Sequence, residues 1–196
     1  MVAAAADGEA MNSANQLTLL RLLLAPLFVI LLLYASPDRP FLRGAALAVF
    51  VAACLTDGLD GYLARRWNQK TTLGSYVDPL ADKLLLTSGF VSLSFMGHLP
   101  PSMHIPAWVT IPVISRDVLI LTGSLLIFIL TGTLKAEPLF VGKLTTVSQM
   151  ATLFLALLAA PLPLKTFFFA ATVILTILSG VRYLQMGAQL AQASQK

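Results

Sequence analysis

Long apolar runs fill most of the chain, and short polar or proline-containing segments separate them. Six runs are each long enough for a helix to cross a bilayer, which takes roughly 20 residues: 17–36, 41–64, 75–97, 105–132, 144–161 and 166–187. Because the runs are continuous rather than alternating, the pattern predicts helices and argues against a transmembrane β-barrel. We therefore expect an all-α integral membrane protein built as a six-transmembrane-helix bundle.

The start of the chain differs from these runs. Asn15 is a good helix cap, so we expect the first helix to begin there with a short amphipathic N-terminal segment in the membrane interface. Residues 1–14 then form an N-terminal extension, open to disorder, in front of one membrane domain over residues 15–196. Asp7 and Glu9 give the extension the wrong charge for a signal peptide, so we expect no cleavage there.

Composition and charge agree with a membrane protein. The chain is 57% hydrophobic and 11% charged, whereas soluble domains carry about 25% charged residues. A net charge of +4 is also typical of nucleic-acid binders, but no basic patch with interleaved aromatic residues occurs. We therefore predict no nucleic-acid partner. The single Cys54 cannot form an internal disulfide.

The basic residues predict the orientation, because lysine and arginine are retained on the cytoplasmic side of a membrane. If both termini are cytoplasmic, that side receives eight basic residues and the opposite side three. The eight are Arg21, Arg65, Arg66, Lys70, Lys135, Lys143, Arg182 and Lys196, and the three are Arg39, Arg43 and Lys165. This distribution favours cytoplasmic termini.

Five aspartates fall within or at the ends of the apolar runs, where a mid-helix aspartate costs roughly 2.5–3.5 kcal/mol on insertion scales. Asp57 and Asp60 are three residues apart, Asp78 and Asp82 are four apart, and Asp117 stands alone. Residues three or four apart share a helix face. Because only a short connection joins the second and third runs, these two helices must be antiparallel neighbours whose acidic faces can meet.

Four carboxylates in one small space stay ionised only with compensating cations. Mg²⁺ or Mn²⁺ suits an all-oxygen site, and two such ions can clamp the attacking and leaving oxygens of a phosphoryl transfer. Two alternatives stay open. The carboxylates could hold helices together by pairing with Arg65, Lys83 and Arg116, or they could belong to a membrane transporter or ion relay. A transporter is expected to show repeated halves, and no internal repeat is evident.

At these aspartates the sequence closely resembles the CDP-alcohol phosphatidyltransferase family, whose signature is D-x2-D-G-x2-A-R-x8-G-x3-D-x3-D. All eight fixed positions are kept with their spacing: Asp57, Asp60, Gly61, Ala64, Arg65, Gly74, Asp78 and Asp82. Two further motifs resemble those of the family's phosphatidylglycerophosphate synthases: Asn15, Thr18, Arg21 and Pro26 near the start, and Gly142, Lys143, Thr145, Thr146 and Gln149 later on. The resemblance therefore covers most of the chain.

The resemblance implies a reaction in which a phosphatidyl group moves from CDP-diacylglycerol to an alcohol and CMP leaves. The implied ligands of two divalent ions are Asp57, Asp60, Asp78 and Asp82, and Asp82 is also the implied general base. The implied CDP-binding residues are Thr18, Asp57, Gly61, Ala64, Arg65 and Gly74, with Arg65 on the pyrophosphate. The family further implies a homodimer among membrane lipids. With the predicted orientation, the active site would face the cytoplasm from a bacterial inner membrane.

Two features point to different acceptors. The amino-terminal motif favours glycerol 3-phosphate, whose phosphate could be bound by Arg116, Lys143 and Arg182. The dipeptide of Arg116 and Asp117 is more similar to the family's cardiolipin synthases, whose acceptor is phosphatidylglycerol. We narrowly favour glycerol 3-phosphate and keep phosphatidylglycerol as the alternative. For these cations, pairing with Asp117 or ordinary anchoring at the membrane surface is the structural alternative.

Two histidines and two tryptophans lie near predicted loops. His98 and His104 have no acidic or cysteine companion, so we interpret them as loop residues at the membrane surface rather than zinc ligands. Trp67 and Trp108 lie near the ends of apolar runs, and we interpret them as interfacial anchors.

Overall fold

The structure, a computed structural model, describes residues 13–36, 38–67, 72–131 and 140–193, and within them the side chains of residues 19–36, 38–56, 83–124 and 140–187. All regular structure in these ranges is helical. The helices are α1 (Ser13–Tyr34), α2 (Pro40–Trp67), α3 (Thr72–Phe95), a 3₁₀ turn (Pro101–Met103), α4 (Ala107–Thr131), α5 (Phe140–Leu157) and α6 (Leu162–Ala193). The predicted all-α class is confirmed for this part of the chain.

Three helices contain segments long and apolar enough to cross a membrane, namely Ala107–Ser124, Phe140–Leu157 and Leu162–Gly187. In the parts of α1, α2 and α3 whose side chains are described, the apolar stretches are shorter: Leu19–Tyr34, Pro40–Thr56 and Lys83–Phe95. Many large apolar side chains on these helices face outward, as helices in contact with lipid tails require. The molecule is therefore an integral membrane protein.

The helices form two groups in contact with each other. α1 packs against α2 and α3, and α6 packs against α4 and α5. The groups meet where α5 contacts α2 and α3 and where α4 contacts α3. His98 Nε2, just after α3, donates to the Leu32 carbonyl near the end of α1 at 3.0 Å. Lys165, at the start of α6, donates to the Ser102 carbonyl in the 3₁₀ turn. α1, α3 and α5 thus all end on the side of the 3₁₀ turn, which we call the 3₁₀ end of the bundle.

One glycine brings these three parallel helices together. A Cβ added at Gly89 would lie 3.1 Å from both terminal methyls of Leu153 on α5 and 3.3 Å from Cε1 of Phe28 on α1. Leu153 and Phe28 are fully buried. This contact layer of Gly89, Phe28 and Leu153 therefore sets the relative heights of α1, α3 and α5 along the bundle.

The fifth predicted span was wrong by four residues at each end, because α5 covers Phe140–Leu157 instead of 144–161. Ala159 has a φ of 53°, its N–H bonds the Ala156 carbonyl, and the Ala160 N–H bonds the Leu155 carbonyl, both at 3.0 Å. These two bonds form a Schellman helix end. Glycine usually takes the left-handed position of this motif, so an alanine there hid the helix end from the sequence.

Two other boundaries also differ from the prediction. α6 begins at Leu162 rather than 166, since Pro163 falls in its first turn, where a missing N–H costs nothing. α1 begins at Ser13 and runs unbroken to Tyr34, so Asn15 is not the cap and the described residues show no separate amphipathic segment. Of the extension predicted over residues 1–14, residues 13 and 14 belong to α1, and residues 1–12 lie outside the described part of the chain.

Candidate active site

The eight signature positions lie on two consecutive helices. α2 carries Asp57, Asp60, Gly61, Ala64 and Arg65, and α3 carries Gly74, Asp78 and Asp82. Thr18, the remaining predicted CDP-binding residue, lies on α1. The side chains at all nine positions lie outside the described part of the structure. The meeting of the four carboxylates therefore stays a prediction.

The helix boundaries nevertheless hold the signature positions at one end of the molecule. α2 ends at Trp67 and α3 begins at Thr72, and five chain steps span at most about 18 Å when fully extended. α2 starts and α3 finishes at the 3₁₀ end. The acid-bearing halves of both helices thus belong to the opposite end of the bundle.

The contact layer of Gly89, Phe28 and Leu153 serves as a reference for the position of the candidate site along the bundle axis. Asp82 precedes Gly89 on α3 by seven residues, and Arg21 precedes Phe28 on α1 by the same number. Seven residues make almost two helical turns, or about 10 Å along the axis. Arg21 is 1% exposed, so it brings a buried positive charge to the level of Asp82.

An ion-pair network of the buried Arg116 and Asp117 and the half-buried Lys83 adjoins the candidate base. Lys83, which directly follows Asp82, donates to Oδ1 of Asp117 on α4. Arg116 Nη1 donates to the same oxygen at 2.8 Å. Its Nη2 and Nε donate to Ser179 Oγ on α6 at 2.7 and 3.3 Å. The network therefore links the end of α3 that carries Asp82 to α4 and α6.

The three predicted acceptor-binding cations differ in environment. Arg116 is buried, and its guanidinium lies against the backbone of Gly142, where an added Cβ would be 3.3 Å from Nη2. Lys143, the next residue on α5, and Arg182 on α6 are exposed. α4, α5 and α6 thus meet around Arg116, which donates hydrogen bonds to Asp117 and Ser179. The contact of these cations with an acceptor phosphate stays a prediction.

A seam of hydroxyl groups runs between α5 and α6. Ser148 and Thr152 each lie within hydrogen-bond distance of Thr172 Oγ1, at 2.7 and 2.8 Å. Thr145 donates to the Leu175 carbonyl at 3.1 Å. These side chains are buried, and interhelical hydrogen bonds of this kind hold membrane helices together.

Sequence reasoning missed the part that α6 plays in this region. Thr172, Thr176 and Ser179 lie four and three residues apart within the otherwise apolar stretch 167–181 of α6. This polar stripe at helical spacing was the available signal. Ser179 in particular is the residue that holds Arg116.

Two buried side chains in the described parts of α5 and α6 have polar atoms without partners. Both amide atoms of Gln149, which is 0% exposed, lack a hydrogen-bond partner. The Thr176 hydroxyl is also buried and unpartnered. The hydroxyl groups that form the seam are all bonded, so these two side chains stand out beside it.

The two loop histidines have backbone partners. His98 Nε2 donates to the Leu32 carbonyl and His104 Nε2 to the Ser94 carbonyl, both at 3.0 Å. Among the residues whose side chains are described, no group of three or more His, Cys, Asp or Glu could hold a metal ion. Trp108 is 51% exposed at the start of α4, and the side chain of Trp67 lies outside the described part.

Comparison with known proteins identifies the family. The sequence profile of the CDP-alcohol phosphatidyltransferases matches residues 11–178. A protein of Mycobacterium tuberculosis (strain CDC 1551 / Oshkosh) named "Probable phosphatidylglycerophosphate synthase" is 39% identical over 175 residues, which is 88% of this chain and 79% of that protein. The "CDP-diacylglycerol--glycerol-3-phosphate 3-phosphatidyltransferase" of Escherichia coli (strain K12) is 34% identical over 145 residues, 72% of this chain and 74% of that protein.

The resemblance found in the sequence is thereby confirmed over most of the chain, and the protein is a transferase rather than a transporter or ion relay. The eight signature residues lie within the matched region, on α2 and α3. The chain belongs to the CDP-alcohol phosphatidyltransferase family.

Proposed function

We propose that this protein transfers the phosphatidyl group of CDP-diacylglycerol to glycerol 3-phosphate and releases CMP. The observation that carries the proposal is the complete eight-residue signature within a chain similar to two proteins named for this synthesis. The reaction supplies a phosphatidylglycerol precursor and belongs to phospholipid biosynthesis.

The donor set at the signature fits hard divalent ions. Four aspartates offer only carboxylate oxygens, the ligands that Mg²⁺ and Mn²⁺ prefer. Asp57, Asp60, Asp78 and Asp82 would hold two such ions. When bound, the ions would neutralise the carboxylates and polarise the phosphoryl oxygens.

The residues of the chain would then act on the two substrates. Asp82 takes the proton from the acceptor hydroxyl, whose oxygen forms a bond to the phosphorus that carries the diacylglycerol. The bond between this phosphorus and the CMP oxygen breaks. Arg65 stabilises the negative charge that grows on the departing phosphate. Thr18, Gly61, Ala64 and Gly74 complete the CDP site, and the small residues leave room for the nucleotide.

The ion-pair network weakens the argument for the alternative acceptor. Arg116 followed by Asp117 resembled the cardiolipin synthases, which would use phosphatidylglycerol. In the structure Asp117 accepts a hydrogen bond from Lys83, and Arg116 donates one to Ser179. These bonds hold α4 against α3 and α6, which is a structural role that does not depend on the acceptor. Lys143 and Arg182 remain exposed and are the candidates for the phosphate of glycerol 3-phosphate.

We further propose that all six helices cross the membrane and that the protein acts as a homodimer in a bacterial inner membrane. α1, α2 and α3 have 22, 28 and 24 residues, or about 33–42 Å at 1.5 Å per residue, which is enough for a bilayer core of about 30 Å. The excess of basic residues at the end where α1, α3 and α5 begin supports a cytoplasmic active site.

The test is CMP release by the purified protein in detergent micelles containing CDP-diacylglycerol. We expect release with glycerol 3-phosphate and Mg²⁺ or Mn²⁺, and none after chelation of the metal. Phosphatidylglycerol in place of glycerol 3-phosphate should give little CMP. A faster reaction with phosphatidylglycerol would identify the alternative acceptor, and metal-independent release would contradict the proposed metal site.

A further inference from the structure

Gln149 is a buried polar residue that has no role in the proposed reaction as described so far. It is 0% exposed, and neither its amide nitrogen nor its amide oxygen has a hydrogen-bond partner. An unpaired buried amide is costly, and proteins rarely keep one without a reason. Its neighbour Ser148 and the nearby Thr145 are both bonded across to α6. These contacts use the hydrogen-bonding groups of α6 nearest to them and leave the Gln149 amide unpaired.

The face of α5 that carries Gln149 points toward α1 and α3. Leu153 follows Gln149 by four residues, so both lie on one face of α5, and Leu153 contacts Gly89 of α3 and Phe28 of α1. Gln149 is thus one turn, or about 6 Å, farther from the 3₁₀ end than this contact layer. Asp82 is about 10 Å from the layer in the same direction. Gln149 therefore lies between the apolar layer and the level of the candidate base.

The chemistry of an amide suits a neutral hydroxyl. Gln149 offers two N–H donors and a carbonyl acceptor without charge, and a hydroxyl can both donate and accept. The charged parts of the substrates have other candidates. The pyrophosphate would be bound by Arg65 and the metal ions that the aspartates would hold, and the acceptor phosphate by Lys143 and Arg182. Glycerol 3-phosphate also carries a hydroxyl at C2 that neither reacts nor bears charge.

We propose that the Gln149 amide hydrogen-bonds the C2 hydroxyl of the acceptor and so selects a glycerol phosphate over simpler phosphorylated alcohols. This role rests on the proposed function. A buried site built to bond a hydroxyl discriminates strongly against an analogue that lacks it, because its polar groups are then left unpaired. The proposal thus gives the unpartnered amide a ligand and the acceptor site a neutral contact.

The test compares glycerol 3-phosphate with 3-hydroxypropyl phosphate, which keeps the reacting hydroxyl and the phosphate but lacks the C2 hydroxyl. The wild-type protein should prefer glycerol 3-phosphate at least about tenfold in kcat/KM. Gln149→Met keeps the length of the side chain and removes the amide. It should lose about tenfold with glycerol 3-phosphate, change little with the analogue, and so use both acceptors about equally. The KM for CDP-diacylglycerol should stay unchanged.

Thr152→Val is the matched control. Thr152 lies on the same helix, three residues on, and its hydroxyl bonds Thr172, so its loss affects packing and should leave the preference between acceptors intact. Equal losses with both acceptors in Gln149→Met would overturn the proposal and indicate a structural amide or one that binds only water. Equal use of both acceptors by the wild type would overturn it without any variant. Absence of CMP release with glycerol 3-phosphate would instead reject the proposed function itself.

Discussion

Lys83 on α3 and Arg116 on α4 donate to the same carboxylate oxygen, Oδ1 of Asp117. The carboxylate is 6% exposed, and its second oxygen has no hydrogen-bond partner. Lys83 is the residue after Asp82, so this ion pair fixes the backbone next to the candidate base. The pair therefore connects the chemistry expected of α3 to the packing of α4.

Asp117→Asn is expected to destabilise the protein. Removing one partner of a buried ion pair costs about 3–5 kcal/mol, because the other charges stay buried without compensation. Asn keeps the size of the side chain but not its charge, so the loss reflects electrostatics. Thermal unfolding in detergent should show a lower Tm, and CMP release should fall with it because α3 loses a restraint beside Asp82.

A triple variant separates the ion pairs from general packing. Lys83→Met, Arg116→Met and Asp117→Leu together remove all three charges of the network, and replacing a whole buried ion pair or triad by apolar residues is often neutral or stabilising. The triple variant should therefore be more stable than Asp117→Asn. An Asp117→Asn protein with the Tm of the wild type would show that the ion pair does not hold α3.

Ser179→Ala should release the guanidinium of Arg116 from α6. Two donors of Arg116 bond the Ser179 hydroxyl, and a hydrogen bond to a charged group contributes about 1.5–3 kcal/mol. Thr122→Val is the control, since Thr122 is exposed and its hydroxyl bonds only carbonyls of its own helix. We expect a lower Tm for Ser179→Ala and almost none of this loss for Thr122→Val. Equal Tm values would contradict the predicted role.

Sequence patterns predicted the helical class and approximate spans, because membrane helices must carry long apolar runs. They missed the end of α5, where Ala159 takes a left-handed conformation that glycine usually occupies. They also missed the start of α6, which lies four residues before the predicted run, because Pro163 fits the first turn of a helix. These errors arise because hydrophobicity records burial in lipid and not the hydrogen bonds that end a helix.

The candidate site was predictable to different degrees. The aspartates were found because carboxylates are rare in apolar runs, and their spacing carries the family signature. The bond from Arg116 to Ser179 spans 63 residues of sequence, and local spacing contains no signal for it. The unpartnered state of Gln149 likewise depends on how three helices pack, so only a structure could reveal it.

Gly89→Ala should destabilise the bundle by overpacking. The new Cβ would lie 3.1 Å from Leu153 and 3.3 Å from Phe28, and both neighbours are fully buried and cannot easily move. Overpacking a tight core costs about 1–3 kcal/mol. Gly44→Ala is the matched control, because nothing lies within 4 Å of the Cβ at that helical position.

The two glycine variants should differ in their effect on the Tm. Alanine is favoured over glycine in a helix by up to about 1 kcal/mol, so Gly44→Ala should keep or raise the Tm while Gly89→Ala lowers it. A Gly89→Ala protein as stable as Gly44→Ala would mean that α1, α3 and α5 do not meet at this level. The position inferred for Gln149 would then lose its support.

Asp82→Asn should abolish catalysis while the protein stays folded. Loss of a general base typically lowers a rate by about 10²–10⁴-fold, and removing one of four neighbouring carboxylates relieves repulsion. Asp38→Asn is the control, because Asp38 is exposed in the connection between α1 and α2, at the 3₁₀ end. CMP release at saturating Mg²⁺ and the Tm should be measured for both. We expect at least a hundredfold loss for Asp82→Asn, none for Asp38→Asn, and Tm values at or above the wild type. Near-normal turnover by Asp82→Asn would assign the base to another residue.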